Sequence, residues 1–386
     1  MLVIANLALP ELHTGWAGGW GAASRLRPVS RQREHHRPVG KTMSLSIFVL
    51  VFVSSAGLVL ALTPLVIWLG RRWSLVAVPG GRRHHRGRVV RIGGLALYPA
   101  FLVAILLTVG VPRDDPLELT RLAGVLLGLA VVWALGLLDD RFPLPSWILM
   151  LGLVAAALVA VVFKVFIEIL NNPLTNRQIK VDWYLMLPLT LFWLVGMPNT
   201  VNLLDGLDGL ATGVTGISAL VLFAHMLRLG QYSVALLPLA LLGCCVGFLP
   251  YNFFPARIFL GGGAYMLGFA LGALSIVAGA KVASALLVVW VPIVDVAWQI
   301  YSRWRRRKPL GLGDRGHLHF RLQDRGWPQS RIVLLYYGVT ALLGVLALSV
   351  SSRLLKSAVL IAVGCIVVIV LALLTRTGGD RTPSGR

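Results

Sequence analysis

Leu151 to Val162 passes without one polar side chain, and it is only the middle of a longer apolar run. A helix needs about 20 consecutive apolar residues to cross the hydrocarbon core of a bilayer. Eleven runs of this kind can be read, near 45–69, 92–111, 122–138, 146–167, 183–198, 209–227, 233–249, 258–277, 282–300, 332–351 and 355–375. The alternation of a β-barrel is absent, and uninterrupted Leu, Val and Ala favour helices, whose backbone groups are satisfied within the segment. The expected fold is all-α, a polytopic membrane helical bundle of about eleven transmembrane helices.

The composition leaves little room for another class. Of 386 residues, 57% are hydrophobic and 13% charged, where a soluble domain carries about a quarter charged. Cys244, Cys245 and Cys365 lie inside apolar runs and read as small hydrophobes, so neither a disulfide framework nor a zinc site is written. The formal charge of +21 sits in the loops. The first loop holds Arg71, Arg72, Arg82, Arg83, Arg86, Arg88 and Arg91; the ninth holds Arg303, Arg305, Arg306, Arg307, Lys308, Arg315, Arg321, Arg325 and Arg331. Together with Arg141, Arg257 and the tail, this bias puts the odd-numbered loops and the C-terminal tail, 376–386, in the cytoplasm. No nucleic-acid partner is expected from charge placed in this way.

Residues 1–42 do not obey the rule, since they hold Arg25, Arg27, Arg31, Arg33, Arg37 and Lys41 but would lie outside. They lack the order of a secretory signal, and Met43 directly precedes the first span. Two readings stay open: a basic disordered extension, or translation starting at Met43. Residues 43–375 then form the membrane domain.

The acidic residues gather at the cytoplasmic ends of spans. Asp139 and Asp140 close the third, Asp205 and Asp208 lie between the fifth and sixth, and Asp295 lies near the end of the ninth. A transporter should instead carry ionisable groups mid-span. Asn199, Asn202, Asp205 and Asp208 recur every third residue, a spacing that aligns them on a helical or 3₁₀ turn. Gly206 and Gly209 suit a loop folded against a ligand, with a polar helix-to-helix turn as the plain alternative. The neighbouring carboxylates Asp139 and Asp140 can bind a hard divalent cation or repel each other so that one becomes a base; an ordinary interfacial pair would look the same.

Two further segments carry chemistry. In Asn252-Phe-Phe-Pro255-Ala-Arg-Ile-Phe259, Pro255 is expected to start a helix flanked by Asn252 and Phe259, an amide and a ring able to read and stack a base; an interfacial aromatic belt is the alternative. In Asp314-Arg-Gly-His317-Leu-His319-Phe-Arg321, cations could neutralise a diphosphate, and the two histidines beside Asp314 suit phosphate or acid–base work.

The order and spacing of these motifs resemble the polyprenyl-phosphate N-acetylhexosamine-1-phosphate transferases, over residues 45 to 340 and closest to the GlcNAc-type branch. Asn199-x-x-Asn202-x-x-Asp205-Gly-x-Asp208-Gly209-Leu210-Ala211 carries most of the resemblance, with Asp139-Asp140, Asn252 to Phe259, Arg82-Arg83-x-His85, Arg91-x-Gly93-Gly94 and His317-Leu318-His319. The resemblance implies transfer of a sugar-1-phosphate from a UDP-sugar to a polyprenyl phosphate with release of UMP, on the cytoplasmic face of a bacterial plasma membrane. It implies Mg²⁺, or Mn²⁺ in its place, and leaves a homodimer open. By motif position Asp139 would be the base toward the lipid phosphate with Asp140 beside it, and Asp139, Asp140, Asp205 and Asp208 the metal set. Asn199, Asn202, Asp205 and Asp208 would shape the nucleotide site, Asn252 and Phe259 would hold uracil, and Asp314, His317, His319 and Arg321 would meet phosphate.

The departures are specific. Gly262 stands where the family has an Asp that ligates Mg²⁺, and Phe320 where a further His is usual. Leu149 and Leu153 replace a Lys and a Gln, Ala77 an Asp, and Val90 a Pro. Because hard cations depend on carboxylate charge, loss of the Asp should weaken Mg²⁺ binding severely, and a non-catalytic relative that binds lipid phosphate or nucleotide, or scaffolds glycan assembly, is the competing reading.

Overall fold

The computed structural model describes residues 43–77, 89–172, 178–278, 286–305, 307, 316–350 and 352–376. The N-terminal segment 1–42, the cluster Arg82-Arg83-x-His85, Asp314 and the tail beyond 376 lie outside the described residues.

Every one of the eleven apolar runs contains a helix. In chain order these are α1 (Leu45–Arg72), α2 (Gly94–Leu106), α3 (Glu118–Arg141), α4 (Ser146–Val162), α5 (Trp183–Leu204), α6 (Leu210–Arg228), α7 (Tyr232–Asn252), α8 (Gly263–Val277) and α9 (Trp290–Arg305). A short α10 (Leu318–Asp324) precedes α11 (Gln329–Ser349) and α12 (Arg353–Arg376). Helices α1, α3, α5, α6, α7, α11 and α12 are long and apolar enough to cross a membrane. The apolar α2, α4 and α8 are shorter, at 13, 17 and 15 residues. The chain is a multi-pass membrane bundle.

Three boundaries differ from expectation for local reasons. The helix expected from Pro255 begins at Gly263, because residues 253–262 are held as a loop by neighbouring backbone. The ninth run does not stay apolar: α9 buries Asp295 and Gln299 and ends on Arg303 and Arg305. Two small antiparallel hairpins, β1 (Val76–Ala77) with β2 (Val89–Val90) and β3 (Ile169–Asn171) with β4 (Gln178–Lys180), were not foreseen.

Helix α8 is the axis of the bundle: all 15 of its residues are buried. A helix apolar all round has no face for water and is stable only when surrounded. Without a hydrophobic drive inside lipid, helices associate by close packing, and small residues let their backbones approach. Gly263 abuts Gly94 of α2, Gly268 abuts Met197 and Pro198 of α5, and Gly262 abuts Gly136 of α3. The outer helices turn apolar side chains outward, as with Leu50, Val53, Leu65 and Trp68 on α1 and Ile361, Ile366 and Ile369 on α12. These large exposed hydrophobes are ordinary where the solvent is lipid.

At the end of the bundle opposite Asp139 and Asp140, an ion pair is sealed inside. Arg113 pairs with Glu118 and donates to the Thr108 carbonyl at 2.8 Å, while Ser233 of α7 donates to Glu118 Oε2 at 2.8 Å. The cluster ties the end of α2 and the starts of α3 and α7.

Candidate active site

The site begins with an electrostatic problem. Asp139 and Asp140 are adjacent like charges at the C-terminal end of α3, where the helix dipole is itself negative. Asp140 is fully buried, and two positive features answer it. The Gly262 N–H at the start of α8 donates to Asp140 Oδ2 at 2.9 Å, so the positive end of α8 points at the carboxylate. Arg91 Nε lies 3.4 Å from Asp140 Oδ1, and Arg91 Nη2 3.9 Å from Asp139 Oδ2. Asp139 keeps 15% of its side chain exposed and accepts the Leu144 N–H at 2.9 Å.

Arg91 is placed by its backbone. Its N–H donates to the Leu75 carbonyl at 3.1 Å, and the chain on either side forms a ladder with the third motif. Phe259 N–H donates to Val90 O at 2.8 Å, Gly93 N–H to Phe259 O at 3.0 Å, and Gly94 N–H to Leu260 O at 3.1 Å. Gly261 turns the chain beneath it at φ +57°. A Cβ there would collide with the Arg91 carbonyl and with both oxygens of Asp140, so only glycine serves.

The α5–α6 connection supplies the second wall. Helix α5 ends at Leu204 and residues 205–209 form a loop, as the glycines suggested. Its four polar residues do not act as one face. Asn199 Nδ2 donates to Val195 O at 2.7 Å and Thr200 Oγ1 to Gly196 O at 2.9 Å, so both satisfy carbonyls next to the helix-breaking Pro198. Asn202 Nδ2 donates to the Tyr265 hydroxyl at 3.0 Å, and that tyrosine lies in the field of Asp139, Asp140 and Arg91. Asp205 is buried and close enough to act electrostatically on Asp140. Asp208 Oδ2 instead accepts the Ala256 N–H at 3.0 Å, tying down the α7–α8 loop.

The histidine segment closes over this loop. A Cβ on Gly206 would overlap His319 Nε2 and come within 2.7 Å of the Phe320 ring. His317 and His319 stack with centroids 5.7 Å apart and planes 8° apart. Asp295 orients them: its Oδ2 lies 3.0 Å from His317 Nδ1, and its Oδ1 accepts the Leu318 N–H at 3.0 Å. Arg321 donates to the Gly316 carbonyl and to Thr375 Oγ1 of α12.

Asn252 and Phe259 sit deeper than a base-reading pair would suggest. Asn252 is 1% exposed; its Oδ1 accepts from Thr212 Oγ1 at 2.6 Å and its Nδ2 donates to Ile258 O at 2.9 Å. Phe259 is 3% exposed and spends its backbone in the ladder. In this arrangement both hold the loop in shape.

Asp139, Asp140, Asn202 and Asp205 are thus gathered at one end of the bundle with Gly206, His317 and His319, whereas Asn199, Asp208 and Arg321 turn to backbone or to α12. Arg91, Tyr265 and Asp295 are the residues that motif reasoning undervalued. The signal for Arg91 was a cation two residues ahead of Gly93-Gly94 at the start of an apolar run, and that for Asp295 its place among the acidic residues at span ends; Tyr265 carried no local signal.

A hard divalent cation finds a poor cage here. Among the described residues no three His, Cys, Asp or Glu side chains are grouped to hold a metal ion. A Cβ on Gly262 would overlap the Gly136 backbone, so helix packing leaves no room for a carboxylate at position 262.

Comparison with known proteins agrees with this layout. The pattern of glycosyl transferase family 4 matches residues 122–279, from α3 to just beyond α8. The chain is 30% identical over 317 residues to the probable undecaprenyl-phosphate N-acetylglucosaminyl 1-phosphate transferase of Bacillus subtilis, covering 80% of this chain and 85% of that protein. It is 33% identical over 348 residues to the decaprenyl-phosphate N-acetylglucosaminephosphotransferase of Mycolicibacterium smegmatis, covering 81% and 85%. Over 190 residues it is 37% identical to the phospho-N-acetylmuramoyl-pentapeptide-transferase of Moorella thermoacetica. With relatives aligned along four fifths of its length and its polar motifs drawn together at one end of a helical bundle, the chain belongs to glycosyl transferase family 4.

Proposed function

We propose that the protein moves a sugar-1-phosphate, N-acetylglucosamine 1-phosphate foremost, from a UDP-sugar to a polyprenyl phosphate at the cytoplasmic face of a bacterial plasma membrane. An oxygen of the lipid phosphate attacks the sugar-bearing phosphorus. The bond from that phosphorus to the bridging oxygen breaks, UMP leaves with the electron pair, and a diphosphate-linked lipid remains. The observation that carries this reading is the meeting of Asp139, Asp140 and Arg91 with the Asp205–Gly206 loop and the His317–His319 stack. A phosphate arriving from lipid and a nucleotide arriving from water can be held together at such a bundle end. Naming GlcNAc rests on the relatives from Bacillus subtilis and Mycolicibacterium smegmatis.

Phosphoryl transfer asks a protein mainly for positioning and for charge around the reacting phosphates. Asp139, the more open of the pair, is the group to hold the lipid phosphate in its ionised form. Asp140 accepts the Gly262 N–H and faces Arg91. The Arg91 side chain is 45% exposed and can face phosphate oxygens. His317, held by Asp295, can offer its remaining ring nitrogen to a departing phosphate.

The test is purified protein with undecaprenyl phosphate and UDP-GlcNAc, followed by UMP release and by the lipid product, with and without Mg²⁺. Absence of UMP with UDP-GlcNAc and with other UDP-N-acetylhexosamines, beside an active relative, rejects turnover. A second reading, a binder of lipid phosphate or nucleotide without turnover, is favoured by the Gly136–Gly262 packing; binding of either ligand in the absence of UMP release would establish it.

A further inference from the structure

We infer that Arg91 is the resident cation of the carboxylate pair, holding by a built-in positive charge the place a divalent ion would take beside Asp139 and Asp140. The inference deepens the transferase reading, and the experiment below reads it apart from turnover.

Three observations carry it. The first is placement: the Arg91 backbone is fixed by the bond to Leu75 and by the ladder from Val90 to Gly94 along Phe259 and Leu260. The anchored backbone sets the side chain off beside the carboxylate pair, within 3.4 Å of Asp140 and 3.9 Å of Asp139. The second is need. Two like charges at the negative end of α3, with Asp205 in range, require a counter-charge whether or not substrate is bound. The α8 N-terminus answers only Asp140, and Arg91 is the described side chain that spans both carboxylates.

The third is exclusion. A divalent ion held by the pair alone binds weakly, and tight binding beside a resident cation needs a further anionic oxygen. On the α8 side, where one would have to stand, Gly262 is pressed against the Gly136 backbone and Gly261 against Asp140 itself. Tyr265 reaches into the same space with a hydroxyl already engaged by Asn202. The space that would admit a ligand on α8 has become a helix contact, and the charge has been supplied from the α2 side.

The experiment is Mn²⁺ titration by electron paramagnetic resonance on the full chain in nanodiscs of neutral lipid, with no substrate present. Wild type should show no saturable site above empty nanodiscs, and Arg91→Lys, which keeps the charge, should behave alike. Arg91→Gln should gain a saturable site, and that gain should vanish when Asp140→Asn is added. A saturable site in wild type that Asp139→Asn or Asp140→Asn abolishes overturns the inference. So does an Arg91→Gln protein that folds and gains no site. If Arg91→Gln does not fold, the wild-type titration decides alone. Failure to release UMP under any metal condition would sink the transferase reading while leaving this titration unchanged.

Discussion

Replacing Gly262 by Asp puts a carboxylate at the start of α8, and it should damage the protein. The ideal Cβ of residue 262 falls on the Cα, carbonyl carbon and oxygen of Gly136, and a Cβ on Gly136 reciprocally falls 2.8 Å from Gly262 Cα. These are backbone atoms of two packed helices, so no rotamer change relieves the overlap; α3 and α8 must separate. Overpacking of this kind costs about 1–3 kcal/mol for the methyl alone. An Asp adds a third carboxylate beside Asp139 and Asp140, worth up to roughly 4 kcal/mol more for a pair about 4 Å apart at an effective dielectric near 20. Against a total stability of order 5–15 kcal/mol, Gly262→Ala should be impaired and Gly262→Asp severely so. Cys244 and Cys245 are buried and Cys365 exposed, so a thiol-reactive fluorogenic dye on a Cys365→Ser background reads opening of the bundle core on heating. Gly57→Ala and Gly338→Ala, where nothing lies within 4 Å of the added Cβ, are the controls and should be neutral or slightly stabilising. The reasoning fails if Gly262→Ala melts with these controls, or if Gly262→Asp melts with wild type and binds Mn²⁺.

Three other outcomes are expected. Gly206→Ala should displace His319 and Phe320 and lower UMP release by about 100-fold, the scale of a 1 Å misplacement in a reacting site, with little change in melting; an unaltered rate would separate the histidines from the chemistry. Asp295→Asn keeps an acceptor for the Leu318 N–H but loses the charged partner of His317. It should cost about 1.5–3 kcal/mol in thermal or denaturant unfolding, together with most UMP release, and a variant as stable as wild type would count against the pairing. Glu118→Gln leaves the Arg113 charge sealed without its partner and should cost about 3–5 kcal/mol. Arg113→Met with Glu118→Met should cost less than that single change, and the difference between the two tests the buried pair.

The bundle was legible because its physics is local. Each apolar run states its own need for lipid, so helix existence followed without tertiary information. Helix ends were less legible where the terminus is set by another segment. Pro255 would start a helix in isolation, but Phe259 and Leu260 are drawn into hydrogen bonds with residues 90–94, and α8 cannot begin until Gly263. The charged cluster was legible as a set of residue types and not as a set of partners. Asn252 looked like a reader of bases, yet its amide is consumed by Thr212 and Ile258. Asp295 was legible only as a carboxylate near the end of the ninth run and is the partner of His317. Apart from Asn252–Ile258, such pairings join residues from 22 to over a hundred positions apart, and no spacing rule reaches that far.

The glycines explain why the site and the bundle cannot be varied independently. Gly136, Gly262 and Gly263 set how closely α3, α8 and α2 approach, and the same closeness brings the Gly262 N–H and the Arg91 guanidinium onto Asp140. A carboxylate at position 262 would demand a wider gap between α3 and α8, and a wider gap would take the helix N-terminus away from Asp140. The tight glycine packing and the absence of a carboxylate at position 262 therefore go together. An arginine already anchored at the start of α2 is what allows the carboxylate pair to stand beside this packing, which is why Arg91 and the Gly136–Gly262 contact should be altered together when the site is engineered.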